Sequence, residues 1–370
     1  MKKLLHVIGA RPNFVKAAPI IHQIKKDKTL RQTVVHTGQH FDQSMSGSFL
    51  SQLKIGKPNH QLTLESNTRN SQICEISRKL EQVIKKTRPN GVVVYGDVNS
   101  SLAAALTAKN LNVKLVHIES GLRSFDKSMP EETNRIIIDH LSDIHFATER
   151  GAVENLLNEN IARSSIFHVG NTMIDSLKSF FSKKRDFTPP FVSASANDPF
   201  VQNDPYCIAT FHRPSNVDSK SGLTKIFEIL NWLSQEIKIL TPLHPRTKNN
   251  LKKFKLLTPL KKNENVLLTD PASYQDFLLF IKHANVVITD SGGTQEETSY
   301  LNTPCLTLRK NTERPITISR GSNVLVDSLD EICSYYDSIK NGSFKKAKKI
   351  KLWDGQASER IAKILYNEFA

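Results

Sequence analysis

Residues 91–120 read G-V-V-V-Y-G-D-V-N-S-S-L-A-A-A-L-T-A-K-N-L-N-V-K-L-V-H-I-E-S. A continuous apolar run, Gly91–Tyr95, ends at a glycine, passes into an Ala-rich helical stretch and returns as a second apolar run, Val113–Ile118. Strands that are apolar at every residue are buried on both faces, as in a parallel sheet covered by helices on either side. The same alternation fills the rest of the chain. Apolar, β-branched runs recur at Leu4–Ile8, Thr33–Thr37 and Ile144–Ala147, then at Cys207–Phe211, Asn265–Thr269, Val286–Thr289 and Cys305–Leu308, with helical patterns between them. The sequence therefore predicts an α/β protein with two doubly wound parallel sheets.

The chain has 370 residues. That suits two domains of roughly 150–200 residues each. The pattern lapses between Lys183 and Asp204, a stretch rich in Pro, Ser and Asn that reads as a linker. A hydrophobic fraction of 38% and 24% charged residues exclude collagenous and disordered classes. The net charge of +15 is spread over both halves, which indicates a solvated, Lys-rich surface and not a basic arm. Its densest run, Lys345–Lys351, lacks interleaved aromatics and is expected as a solvent-facing helix, without nucleic acid as a partner. Cys74, Cys207, Cys305 and Cys333 are too widely spaced for metal or redox motifs, and a cytoplasmic setting follows. Met1–Gly9 reads as a first strand and not a signal peptide, and no apolar stretch is long enough to span a membrane.

No G-x-G-x-x-G follows a strand and no G-x-x-x-x-G-K-[ST] occurs, so the fingerprints of NAD binding and of the Walker phosphate loop are missing. Nor is there an H-E-x-x-H or a tight His/Cys cluster to suggest a metal. In doubly wound sheets chemistry collects just beyond the carboxyl ends of the strands, and those positions carry it here. After the first strand come Gly9, Arg11, Pro12 and Lys16, a helix start with two cations suited to phosphate or carboxylate. Asp97 follows the strand Gly91–Tyr95, where an N-cap role is also open to it. Glu119 holds the equivalent place after the next strand, and Glu131 opens the helix beginning P-E-E-T-N-R, with Arg123 and Arg135 nearby. Three carboxylates converging on one sheet edge suit acid/base work or stabilisation of a cation. In the second half a strand runs into His212, and another runs into Ser291-Gly292-Gly293 at a helix start, where free amides favour diphosphate. Glu297, a turn further on, suits ribose hydroxyls, and Arg314 in T-E-R-P adds a cation.

Taken in order, G-A-R-P-N-F-V-K, T-G-Q-H, Y-G-D-V-N-S-S, H-I-E-S-G-L-R-S, P-E-E-T-N-R, F-H-R-P, T-D-S-G-G-T-Q-E-E and T-E-R-P resemble the non-hydrolysing UDP-N-acetylglucosamine 2-epimerases. The resemblance extends from Gly9 to Ser358. It implies two Rossmann-like domains of GT-B type facing each other across a cleft, with the first formed by residues 1–170 plus a returning helix in 355–370 and the UDP-binding one by 171–354. It also implies a homodimer acting on a UDP-sugar, with no cofactor, metal or membrane. By position, the family's catalytic residues fall on Asp97, Glu119, Glu131 and His212. Substrate binding falls on Arg11, Lys16, Arg135, Ser291, Gly292, Gly293, Glu297 and Arg314, with Phe277 beside the uracil. Ala272 departs from the Gln that relatives often carry in the uracil loop.

The chemistry implied is inversion at carbon 2. No carbonyl acidifies that C–H bond, so UDP is first eliminated to give a glycal and is then added back after protonation of the opposite face. Carboxylates answer the positive charge that develops on the sugar, while Arg, His and the Ser-Gly-Gly amides answer the negative charge on the diphosphate. The rival readings are a 2-epimerase of a UDP-diacetamido-uronate, a GT-B glycosyltransferase and a basic nucleic-acid-binding protein. Regulated relatives add an activating UDP-GlcNAc site, and this chain keeps Gln39-His40 and His244 of it while Pro214-Ser215 and Phe41-Asp42 depart from it.

Overall fold

The computed structural model describes residues 1–27, 29–39, 49–66, 68–182 and 204–369. The chain divides into two compact units, Met1–Ser182 with Lys351–Ala370, and Lys183–Ile350.

Among its described residues the first unit has seven strands: β1 (Lys2–Ile8), β2 (Leu30–His36), β3 (His60–Gln61), β4 (Gly91–Tyr95), β5 (Lys114–Ser120), β6 (Ile144–Ala147) and β7 (Ile166–His168). They lie in the order β3-β2-β1-β4-β5-β6-β7. Every pairing is parallel. The strand order reverses between β1 and β4, which makes their carboxyl ends the place where a ligand crevice forms in such sheets. Val92, Val93, Val94 and Tyr95 are fully buried, as a strand covered on both faces requires. The Ala-rich helix Asn99–Asn110 is buried along Ser100–Ala105 and packs between the helices Arg69–Thr87 and Pro130–Leu141, its small side chains allowing close approach on both sides.

Among its described residues the second unit has six strands: β8 (Tyr206–Thr210), β9 (Lys238–Pro242), β10 (Val266–Thr269), β11 (Val286–Thr289), β12 (Cys305–Leu308) and β13 (Asn323–Val326). Their order is β10-β9-β8-β11-β12-β13, again all parallel, with the reversal between β8 and β11.

All nine runs read from the sequence are strands, four of them with the same bounds and five with an end shifted by one to three residues. β3, β7, β9 and β13 were not among them. β3 and β7 are two and three residues long at the sheet edges. β9 follows closely on the helix Lys220–Leu233, and its Lys and Pro blur the apolar signal.

The crossing between units falls after Ser182 and not after residue 170, because the helix Thr172–Phe181 packs on Arg11–Lys25 of the first unit. The return falls at Lys351. Asp175 of Thr172–Phe181 accepts the main-chain N–H groups of Ala357 and Ser358 at 3.1 and 2.7 Å, which fixes the start of the last helix, Ala357–Phe369. The linker reading at Lys183–Asp204 lies outside the described residues except for Asp204 itself. The basic run Lys345–Lys351 is not a helix. It is irregular chain, with Lys345 Nζ on the Ile318 carbonyl, Lys348 N–H on the Arg320 carbonyl and Ile350 buried, so contacts to a distant segment replace helical hydrogen bonds. All four cysteines are free thiols, and among the described residues no helix is long and apolar enough to cross a membrane.

Candidate active site

In the first unit the helix Arg11–Lys25 begins directly after β1, with Pro12 in its first turn. Asn13 anchors the turn: its Oδ1 accepts from the main-chain N–H groups of Gly9 and Ala10 at 3.1 Å, and its Nδ2 donates to the Tyr95 carbonyl at 2.8 Å. The ends of β1 and β4 are thereby tied together. Lys16, in the same helix, is buried and does not present a surface cation. Its Nζ lies 2.6 Å from Glu119 Oε1, with both side chains about 5% exposed.

Glu119 occupies a local irregularity. The β5–β6 register shifts between Ile118 and Ser120, and Glu119 has φ of +73°. A non-glycine residue in this region carries about 1–3 kcal/mol of backbone strain and is found where the side chain must be aimed out of the regular pleat. Gly96, at φ +58°, completes the arrangement. A Cβ there would lie 3.1 Å from Lys16 Nζ and 3.5 Å from Glu119 Oε1, so glycine lets the turn before Asp97 close over the ion pair.

Asp97 does not cap the following helix, whose N-cap is Val98. Its carboxylate pairs with Arg135, which also pairs with Glu132. Glu132 is buried and accepts from the Ser124 and Phe125 main-chain N–H groups and the Ser124 hydroxyl. Burial alone would raise its pKa, but those bonds and Arg135 bring it below the usual carboxylate range. The structure thus sets Asp97 and Glu119 at adjacent strand ends and leaves Glu131 exposed beside the buried Glu132. Arg11 is half-buried at the first helical position.

In the second unit His212 lies two residues past β8. Asp290, just past β11 and fully buried, holds it. The Asp290 carboxylate accepts the main-chain N–H groups of His212 and Arg213 at 3.0–3.1 Å, and His212 Nδ1 lies 3.1 Å from Asp290 Oδ1. Burial works to raise the Asp290 pKa, yet the His212 contact and these amides hold it below its ordinary value. A carboxylate on Nδ1 sets the ring so that Nε2 is its working nitrogen. The His244 ring packs 5.7 Å from that of His212. His40, Phe41 and Asp42 lie outside the described residues.

The helix Gly292–Leu301 starts at Ser291, whose side chain does not cap it. A Cβ on Gly292 would lie 2.6 Å from both Arg314 Nη1 and Glu313 Oε1, so only glycine lets these groups reach the helix start. Arg314 pairs with Glu313 and lies 2.9 Å from Glu296, Arg309 lies 2.8 Å from Glu313, and Arg213 lies 3.6 Å from it. Three guanidinium groups are gathered beside a helix N-terminus, which is the setting for a diphosphate. Burial and the neighbouring Arg213 and Arg314 both lower the pKa of Arg309, against the opposing pull of Glu313. Glu297 is pushed up to about 8 by burial, with Glu296 adding to the rise and Tyr274 opposing it. Phe277 is partly buried against the cluster of Tyr206, Ile208 and Phe280, and Ala272 joins the same cluster.

The profile of the family described as UDP-N-acetylglucosamine 2-epimerase matches residues 22–366. The chain belongs to this family. It is 38% identical over 372 residues to the UDP-N-acetylglucosamine 2-epimerase of Methanocaldococcus jannaschii, covering 98% of each chain. It is also 39% identical over 366 residues to the UDP-2,3-diacetamido-2,3-dideoxy-D-glucuronate 2-epimerase of Pseudomonas aeruginosa, covering 98% of this chain and 99% of that one. Among solved structures, the M. jannaschii UDP-GlcNAc 2-epimerase in complex with UDP-GlcNAc and UDP aligns with a TM-score of 0.88, 36% identity and 99% of each chain. Asp290, Arg309 and Glu132 are among the groups of this candidate site that the sequence reading did not single out. Arg309 directly follows β12, so applying the strand-end rule to that strand would have found it. Choosing Glu132 over Glu131 for burial needed the helix phase, which a two-carboxylate start does not reveal.

Proposed function

We propose that the protein reversibly converts UDP-N-acetylglucosamine to UDP-N-acetylmannosamine, an isomerase reaction without added cofactor. The C2 proton leaves as the C1–O bond to UDP breaks, giving a glycal. Protonation of C2 from the other face and return of UDP to C1 complete the inversion. Asp97, Glu119 and Glu131 act at the sugar, with Lys16 holding Glu119 and Arg135 holding Asp97. His212 and Arg314, with Arg11, Ser291, Gly292 and Gly293, bind and stabilise the departing diphosphate. Glu297 takes the ribose and Phe277 lies beside the uracil. The observation that carries this reading is the buried Lys16–Glu119 pair at a strained strand end, in a chain of this family. The reading extends to a cytoplasmic homodimer serving polysaccharide biosynthesis, with neither nucleic acid nor membrane as partner.

A second reading is favoured by the 39% identity to the diacetamido-uronate epimerase, whose substrate differs at carbons 3 and 6 while the chemistry at carbon 2 is the same. The test is NMR of both UDP-sugars with the purified protein. A kcat/KM at least about tenfold higher for UDP-GlcNAc supports the first reading, at about 1.4 kcal/mol of discrimination. The reverse preference establishes the second, and no conversion of either sinks both.

A further inference from the structure

Asp139 and His117 take no part in the roles above, yet both are fully buried. The Asp139 carboxylate, on the helix Pro130–Leu141, reaches the β5 region at three places. Oδ1 lies 2.7 Å from His117 Nδ1, and Oδ2 accepts the Gly121 main-chain N–H at 3.0 Å and lies 2.7 Å from Arg123 Nη1. His117 and Gly121 bracket Glu119, two residues away on either side. The other ring nitrogen, His117 Nε2, lies 3.1 Å from the carbonyl oxygen of Gly96, the residue before Asp97. A carboxylate and a carbonyl only accept, so the ring makes both bonds when both nitrogens carry protons. The surroundings are polar too. Arg123 is gripped by Glu159 through two bonds of 2.6 Å, and His145 Nε2 meets the Asp139 carbonyl at 2.7 Å. Burial would raise the Asp139 carboxyl, but His117 and Arg123 hold it at about 2.

Apolar side chains of similar volume would fill this space without the desolvation cost of so many charges. What the polar groups add is direction. Both backbone segments they grip depart from regular geometry, the bulge with Glu119 at φ +73° and the turn with Gly96 at φ +58°. We infer that Asp139 and His117 are positioning residues, a single buried pair that sets the placement of both Glu119 and Asp97. This rests on the epimerase reading above.

The test uses Asp139→Asn and His117→Asn in the full chain. His117→Asn retains a donor toward Asp139 but is too short to reach Gly96. Each is expected to lower kcat ~10- to 100-fold with KM changed by less than about threefold, because displacement of a reacting group by an ångström has that effect. In an Asp97→Asn/Glu119→Gln background, adding Asp139→Asn is expected to lower the residual kcat by less than about threefold further, since both carboxylates it positions are already gone. Hydrogen exchange at the amides of residues 96–97 and 119–121 is expected to speed up in both variants. Any of three results overturns the inference: kcat per folded enzyme within about threefold of wild type, a loss that multiplies when Asp139→Asn is added to the variant lacking both carboxylates, or unchanged exchange at both segments. If the wild-type protein turns over neither UDP-sugar, the epimerase reading fails, and the exchange measurement still decides whether the pair holds the two segments.

Discussion

Replacing Asp290 by Asn keeps its shape and removes its charge. In the folded chain this carboxylate accepts the His212 and Arg213 amides, the Asn216 side-chain amide at 3.1 Å and the His212 ring. A hydrogen bond to a charged group is worth about 1.5–3 kcal/mol. The His212 side chain is 43% exposed, so solvent screening places the ring contact near the lower end of that range. A loss of about 1.5–2 kcal/mol at the transition state corresponds to roughly 10- to 30-fold in kcat. The amide contacts act on stability, where about 1.5–3 kcal/mol lowers Tm by roughly 3–12 °C. The assay is initial-rate NMR or coupled UDP-GlcNAc turnover at a temperature where the variant is fully folded, beside thermal unfolding of both proteins. A variant with kcat within about threefold of wild type would show that Asp290 does not orient a working histidine. A Tm loss without a kcat loss would make it a structural acceptor only.

Three further outcomes follow from the geometry. Lys16→Met removes the cation of the buried Lys16–Glu119 pair, and breaking a buried ion pair costs about 3–5 kcal/mol; calorimetry should show a lower Tm along with lost turnover, and an unchanged Tm would mean that water already reaches the pair. Glu297 near 8 in the folded chain, against 4.5 ordinarily, means that the folded state holds more protons through that window, so the second unit loses stability as pH rises across it. Ribose hydroxyls donating to the carboxylate lower that value again, so UDP binding releases up to one proton and tightens by as much as about tenfold per pH unit between 6 and 8; titration calorimetry in buffers of different ionisation enthalpy reads the proton directly, and a pH-independent affinity refutes it. Arg314→Ala should weaken UDP binding about tenfold or more, whereas Asp97→Asn should leave UDP binding within about threefold and lower kcat ~100-fold. Equal effects of both on binding would show that the two roles are not separate.

Fully buried strands were legible in the sequence because each carries its own signal: Val92, Val93 and Val94 need no partner to read as apolar and β-branched. The short edge strands β3 and β7, and β9 with its Lys and Pro, carry less of that signal than their place in the sheet suggests. Site residues follow the same logic. Asp97, Glu119 and His212 were visible as strand-end residues, a local property. Their pairings were not, although Lys16 and Arg135 were themselves read as binding residues: Lys16 meets Glu119 across 103 residues and Arg135 meets Asp97 across 38, and no distance between such positions is written in the sequence. The non-helical path of Lys345–Lys351 was hidden for the same reason, since the Ile318 and Arg320 carbonyls that hold it belong to a distant segment.

Proton exchange at carbon 2 is the step on which everything else depends. Incubating the protein with UDP-GlcNAc in heavy water, with EDTA present, and following the sugar signals by NMR tests it directly. UDP-ManNAc should form with one deuterium at carbon 2, and recovered UDP-GlcNAc should acquire the same label as the reaction reverses, with no dependence on the chelator. Product that keeps its original hydrogen, or free N-acetylmannosamine as the main product, would overturn elimination and re-addition as the reaction of this chain.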